Sequence, residues 1–148
     1  MEVNVRYSKQ KDFNDIFYLL SQVLPNKELD LYYLKEAFER DIESNSYEYI
    51  CAEANGKVVG FCALSIVNNF WHEGLVSNIY ALIVDSSLRG QKIGTTLLKK
   101  AFDISKLSGC KKVELDYGFS KEKDVDFYKK LGFQEEPYFF SKSLQEQL

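Results

Sequence analysis

Two stretches rich in β-branched and aromatic residues, Tyr47 to Ala54 and Lys57 to Val67, meet across the dipeptide Asn55-Gly56. Asn and Gly accept the positive φ angles of a two-residue type I′ turn, whose twist matches that of the strands it joins. An antiparallel hairpin is therefore the firmest element in the chain, and other segments must build on its sheet. Upstream, Val3, Val5 and Tyr7 alternate with polar residues as a strand does. From Phe13 the period changes to that of a helix, with Ile16, Phe17, Leu20, Val23 and Leu24 on one stripe ending near Pro25. A second helical pattern, Leu31, Leu34, Phe38 and Ile42, precedes the hairpin. Residues 68–74 break the strand pattern, and Leu75 to Val84 resumes it.

Beyond the hairpin, Leu82-Ile83-Val84 runs into the polar turn Asp85-Ser86-Ser87-Leu88-Arg89-Gly90 and then into a helix from Gln91 to Leu107 with Ile93, Leu97, Leu98, Ala101 and Ile104 on one face. The first amides of a helix have no intrahelical acceptor and carry the positive end of its dipole, so this turn suits a phosphate. Arg89 and Lys92 add positive charge, while Gly90 and Gly94 keep side chains away from a close ligand. Neither a Walker A ending nor a G-x-G-x-x-G is present. A strand follows from Lys112 to Tyr117, then a helix from Lys121 to Leu131 with Gly132 at a left-handed cap, and Tyr138 to Leu144 reads as a last strand. The whole order predicts an α/β fold, a mixed and mostly antiparallel sheet flanked by helices, in one domain over residues 1–148.

The segment Arg89-Gly90-Gln91-Lys92-Ile93-Gly94 resembles the acyl-CoA loop of the GNAT family of N-acetyltransferases, Arg/Gln-x-x-Gly-x-Gly/Ala between a strand and a helix. Lys92 departs from the pattern, standing at its first glycine. Asp126-Phe127-Tyr128-Lys129-Lys130-Leu131-Gly132-Phe133 resembles the same family's C-terminal signature, at the expected distance downstream. The resemblance implies the GNAT acyl-CoA N-acyltransferase fold, splayed so that acetyl-CoA enters between the fourth and fifth strands. It also implies that backbone groups of Leu82, Ile83 and Val84 meet the pantetheine arm, with a strand N–H near Ile83 facing the oxyanion. The pyrophosphate then falls to the segment from Arg89 through Gly90, Gln91, Lys92, Ile93 and Gly94 to Thr95. Tyr128, beside the cofactor, matches the position that protonates the departing thiolate.

An amine acceptor must lose a proton before or during attack on the thioester. Many relatives use a Glu on the fourth strand, but Ser77-Asn78-Ile79-Tyr80-Ala81 has no carboxylate. Histidine is the usual side chain for proton transfer at neutral pH, and His72 with Glu73 precedes this strand, which makes the pair the first candidates for the base. Tyr80, a water held by Asn78, and Asp116 or Tyr117 remain as alternatives.

A formal net charge of -3 argues against a nucleic-acid partner, and nowhere do about 18 apolar residues run together as a membrane span needs. Cys51, Cys62 and Cys110 lack metal-ligand spacing and read as packing residues of a cytoplasmic protein without a metal site. Exposed strand edges are compatible with a homodimer. Within the family the chain is most similar to the aminoalkylphosphonate N-acetyltransferases, which implies a small anionic amine as acceptor. Arg6, Lys27, Lys35 and Arg40 are available to recognise the anion. An amino-sugar phosphate and a protein N-terminus are the alternative acceptors. A non-catalytic acyl-CoA sensor is the alternative of another class.

Overall fold

The computed structural model describes residues 1–116, 122–136 and 140–145. The chain divides into two compact units, Met1–Asp116 and Tyr117–Leu148. Five strands of the first unit form one sheet in sequence order: β1 (Asn4–Tyr7), β2 (Tyr47–Ala54), β3 (Lys57–Asn69), β4 (Gly74–Val84) and β5 (Lys112–Leu115). The first four pair antiparallel, and β5 lies parallel to β4. At the predicted hairpin, Asn55 and Gly56 have φ of 54° and 75°, the two positive values that a type I′ turn demands.

Helices cover both faces of this sheet. Helix α1 (Phe13–Val23) and helix α2 (Leu31–Asp41) bury Phe13, Ile16, Leu19 and Phe38 against Cys51, Val58, Phe61, Ala63 and Ile83. Asp30 starts α2, its carboxylate accepting from the Tyr33 amide at 3.0 Å. On the opposite face lies α3 (Ile93–Leu107), which buries Ile93, Leu97, Leu98, Ala101 and Ile104. Neighbouring residues of a strand point to opposite faces, so Phe61 meets α1 and Gly60 meets α3. Gly60 lets α3 sit close: a Cβ there would lie 2.9 Å from Leu97 Cδ1 and 3.0 Å from Ile93 Cγ2. Leu97 and Leu98 are fully buried, each contributing about 2 kcal/mol of apolar burial that holds α3 down.

Under the edge of the sheet Arg6 grips Asp12 with two bonds of 2.8 and 2.9 Å, and its Nε donates to Glu53 at 3.3 Å. Arg6 is therefore committed to the fold and is removed from the list of cations able to recognise an acceptor. Lys27, Lys35 and Arg40 are exposed. Cys51 and Cys62 are buried, and burial pushes the Cys62 thiol up to about 12, which suits packing and not reactivity.

In the second unit α4 (Glu122–Lys130) is followed by Gly132 with φ of 96°, the left-handed position that the sequence predicts. The predicted final strand is not formed in its described part, since residues 140–144 belong to no regular element and Phe140 and Leu144 are exposed. Tyr138 and Phe139, which begin that predicted strand, lie outside the described residues, as does Tyr117. Among the described residues no helix is long and apolar enough to cross a membrane.

Candidate active site

The turn after β4 is built around Asp85. Its amide donates to the Val59 carbonyl at 2.9 Å, and its carboxylate accepts from the Ser87 amide at 3.0 Å and the Ser87 hydroxyl at 2.8 Å. Those bonds from Ser87, the amide's first, hold the Asp85 carboxyl below the usual carboxylate range. Gln22 of α1 steadies the next residue, accepting from the Ser86 amide at 3.1 Å. The chain then exposes Arg89, Gly90, Gln91 and Lys92 before α3 begins.

Lys92 caps α3 in the left-handed conformation, with φ of 64° and ψ of 17°. The family's glycine at this position has a physical reason here, because only glycine adopts such angles without strain. The Lys92 carbonyl accepts from the Thr96 amide at 3.1 Å and the Thr96 hydroxyl at 2.9 Å, while no side chain caps the helix. Consequently the amides of Ile93, Gly94 and Thr95 find no acceptor among the described residues. The nearest atom to a Cβ on Gly94 is Val84 Cγ2 at 3.7 Å, so a methyl fits there, in keeping with the Gly/Ala choice of the loop pattern.

The edge of β4 leads directly from this seat. Strand β5 pairs with β4 only from Val76 to Ile79, and no strand among the described residues pairs with that side of Tyr80 to Val84. Because the Asp85 amide points at β3, strand alternation turns the backbone groups of Ile83 toward β3 as well. Leu82 and Val84 then present their N–H and C=O groups at the open edge. This corrects the expectation centred on Ile83, whose buried side chain instead joins the α1 core.

A bulge interrupts β4 at the end of its pairing with β5. Ala63 pairs with Ala81 and Leu64 with Ile79, so Tyr80 is an extra residue. Its hydroxyl donates to the Tyr49 hydroxyl at 2.9 Å, which in turn donates to Asp41 Oδ2 at 2.8 Å. Sequence reasoning reached Tyr80 but missed Tyr49 and Asp41, because no local pattern links the end of α2 to a bulge on β4.

His72 and Glu73 are not brought to this place. They lie in the short 3-10 turn between β3 and β4, with Glu73 in a left-handed conformation. From Gly74 to Tyr80 is six strand steps, or about 20 Å at the usual rise. That distance separates both from Tyr80 and from the open edge of β4 at Leu82 and Val84. A depression of about 470 Å³ lined by Asn68, Asn69, Phe70, Glu73 and Gly74 sits at this far turn, with Glu73 its single ionisable side chain.

In the second unit Tyr128 is half-buried on α4, its ring edge-on to Phe127 at 5.2 Å and to Phe133 at 6.1 Å. The Tyr128 carbonyl accepts from the amides of Leu131 and Phe133, which ties the helix end to the Gly132 turn.

Residues 12–133 match the acetyltransferase (GNAT) family. The chain belongs to that family. It is 28% identical over 140 residues to the aminoalkylphosphonate N-acetyltransferase of Salmonella typhimurium, covering 95% of this chain and 90% of that one. A glucosamine 6-phosphate N-acetyltransferase of Trypanosoma brucei brucei is 40% identical over 84 residues, 56% of this chain and 55% of the other. Among solved structures, a Trypanosoma brucei acetyltransferase superposes with a TM-score of 0.80 at 27% identity over 97% of this chain and all of its own. The GNAT family uses acetyl-CoA. The three amides at the head of α3 that find no acceptor among the described residues fit a diphosphate, and the edge of β4 that no described strand pairs fits an extended arm carrying amides of its own. This is a GNAT acetyltransferase whose sheet and helices have the family arrangement.

Proposed function

We propose that the protein moves the acetyl group of acetyl-CoA to the primary amine of a small anionic acceptor of the aminoalkylphosphonate kind, by direct attack in a ternary complex. One observation carries the cosubstrate half of this reading: the uncapped amides of Ile93, Gly94 and Thr95 adjoin the open backbone edge at Leu82 and Val84. Arg89, Gly90, Gln91 and Lys92 supply further amides and two positive charges to the diphosphate, whose binding should weaken with salt. Asp85 lies five strand steps beyond Tyr80, roughly 16 Å, so an arm laid along this edge carries its thioester toward the bulge. There the Leu82 amide is the nearest open donor for the oxyanion. Tyr128 is assigned the proton for the leaving thiolate on its match to the family signature, a role open to a neutral phenol.

The acceptor half rests on the nearly end-to-end similarity to the Salmonella protein. An amino-sugar phosphate is the second reading, favoured by the higher identity over the shorter stretch. Purified protein with acetyl-CoA is offered an aminoalkylphosphonate, glucosamine 6-phosphate and a peptide with N-terminal alanine, and free thiol is followed. Turnover fastest with the phosphonate supports the proposal. Preference for the sugar phosphate or the peptide replaces the acceptor, and CoA binding without turnover on any amine makes the protein an acyl-CoA sensor.

A further inference from the structure

We propose that the proton leaving the acceptor amine travels through Tyr80 and Tyr49 to Asp41, which takes the part of the carboxylate missing from β4. This deepens the acetyl-transfer reading above and rests on it. The geometry admits one order of protons. An ionised carboxylate only accepts, so at 2.8 Å Tyr49 must donate to Asp41. With its one proton so used, Tyr49 must accept from Tyr80 at 2.9 Å. Tyr80 Oη is thereby left with acceptor capacity and no donor among the described residues.

Three features make this a conduit. The bulge puts Tyr80 on the same face as its neighbour Ala81, which packs against the α1 and α2 core, and β4 loses β5 at that point. Tyr80 is 41% exposed and open to an acceptor, whereas Asp41 has only 14% of its side chain exposed. Tyr49 is fixed between them, stacked on Phe38 at 5.7 Å and edge-on to Phe61 at 5.5 Å. Burial pushes the Tyr80 phenol up to about 12 and Tyr49 further up, so both stay neutral and pass protons without storing charge.

As the neutral amine nitrogen bonds to the thioester carbon, its N–H becomes acidic. That proton moves to Tyr80 Oη, the Tyr80 proton to Tyr49 Oη, and the Tyr49 proton to Asp41 Oδ2. Both phenols are restored, and Asp41 is left a neutral acid that later yields its proton to water. The C–S electron pair departs with the CoA sulfur, protonated by the separate donor assigned to Tyr128.

The test compares wild type with Tyr80→Phe, Tyr49→Phe, Asp41→Asn and the Tyr80→Phe/Asp41→Asn pair, using acetyl-CoA and the best amine from the panel. Each single change should lower kcat by about a hundredfold with acetyl-CoA affinity retained, and the pair should lose no more than either alone, as members of one unit do. Tyr80→Phe removes a surface hydroxyl, and the amide oxygen that Asp41→Asn introduces still accepts from Tyr49, so folding is spared. A wild-type solvent isotope effect on kcat with a curved proton inventory, flattened in Asp41→Asn, distinguishes transfer from support. Wild-type rates in Tyr80→Phe, or losses in the pair that multiply, overturn the relay and leave acetyl transfer standing. CoA binding without turnover in wild type overturns both.

Discussion

Gly60 on β3 lies beneath Leu97 of α3 so closely that a Cβ on the glycine would stand 2.9 Å from Leu97 Cδ1. The same Cβ would be 3.0 Å from Ile93 Cγ2, one turn nearer the start of α3. Both neighbours are buried and can give little. Gly60→Ala should cost about 1–3 kcal/mol of stability and weaken CoA binding as well, because the head of α3 is displaced. Urea melts and calorimetry with CoA check the pair of effects; loss of stability at unchanged affinity would mean that the seat is not set by this contact.

Lys92 is a lysine in a conformation that favours glycine, and the conflict yields a separable prediction. Lys92→Gly removes left-handed strain of about 1 kcal/mol while adding backbone freedom to the unfolded chain, for a net gain of roughly 0.5 kcal/mol. It also deletes a charge beside the diphosphate. Stability should therefore rise while CoA affinity falls modestly and becomes less salt-dependent. A stability loss would show that the Lys92 side chain supports the turn by contacts that outweigh its strain.

Where local chemistry decides, the sequence was sufficient. Asn55-Gly56 announces its turn, and the segment around Arg89 announces its strand, turn and helix, because both depend on residues adjacent in the chain. The start of α3 shifts from Gln91 to Ile93 because Lys92 takes the left-handed angles. The bulge at Tyr80 is a property of register between two strands and leaves no mark in either one. Asp41, Tyr49 and Tyr80 come together only after α2 docks on the sheet, so none of the three predicts the other two. His72 is the single histidine of the sequence and stands just before β4, yet strand length alone places it far from Leu82. Residues 140–144 of the predicted last strand form no regular element, because composition fixes neither pairing nor burial.

The Arg6 and Asp12 pair predicts the acid limb of stability. Burial raises the Asp12 carboxyl, but the two bonds from Arg6 and a third from the Lys9 amide at 2.7 Å outweigh it and hold the carboxyl below its ordinary range. A carboxyl depressed in the folded state stabilises above its unfolded pKa of about 4, and that contribution is lost as pH falls through the folded value. Asp12→Ala leaves Arg6 without its main partner and should cost about 3 kcal/mol at pH 7, with a shallower decline below pH 4. Denaturant melts from pH 2 to 8 check this, and parallel profiles for the two proteins would sink it.

Tyr128 allows a clean chemical test because its ring and its hydroxyl do different work. The ring packs edge-on against Phe127 and Phe133, and the backbone carbonyl receives two amides, none of which Tyr128→Phe disturbs. A urea melt of the variant measures what the hydroxyl contributes to folding, apart from its chemistry. If the hydroxyl protonates the thiolate, kcat should fall at least about tenfold while acetyl-CoA affinity changes modestly, since the interaction is made in the transition state and not in the ground state. The loss should shrink with acyl donors whose thiol leaves readily as a thiolate, for which no proton is needed. Equal sensitivity to leaving-group acidity in wild type and variant would take the proton donor away from Tyr128.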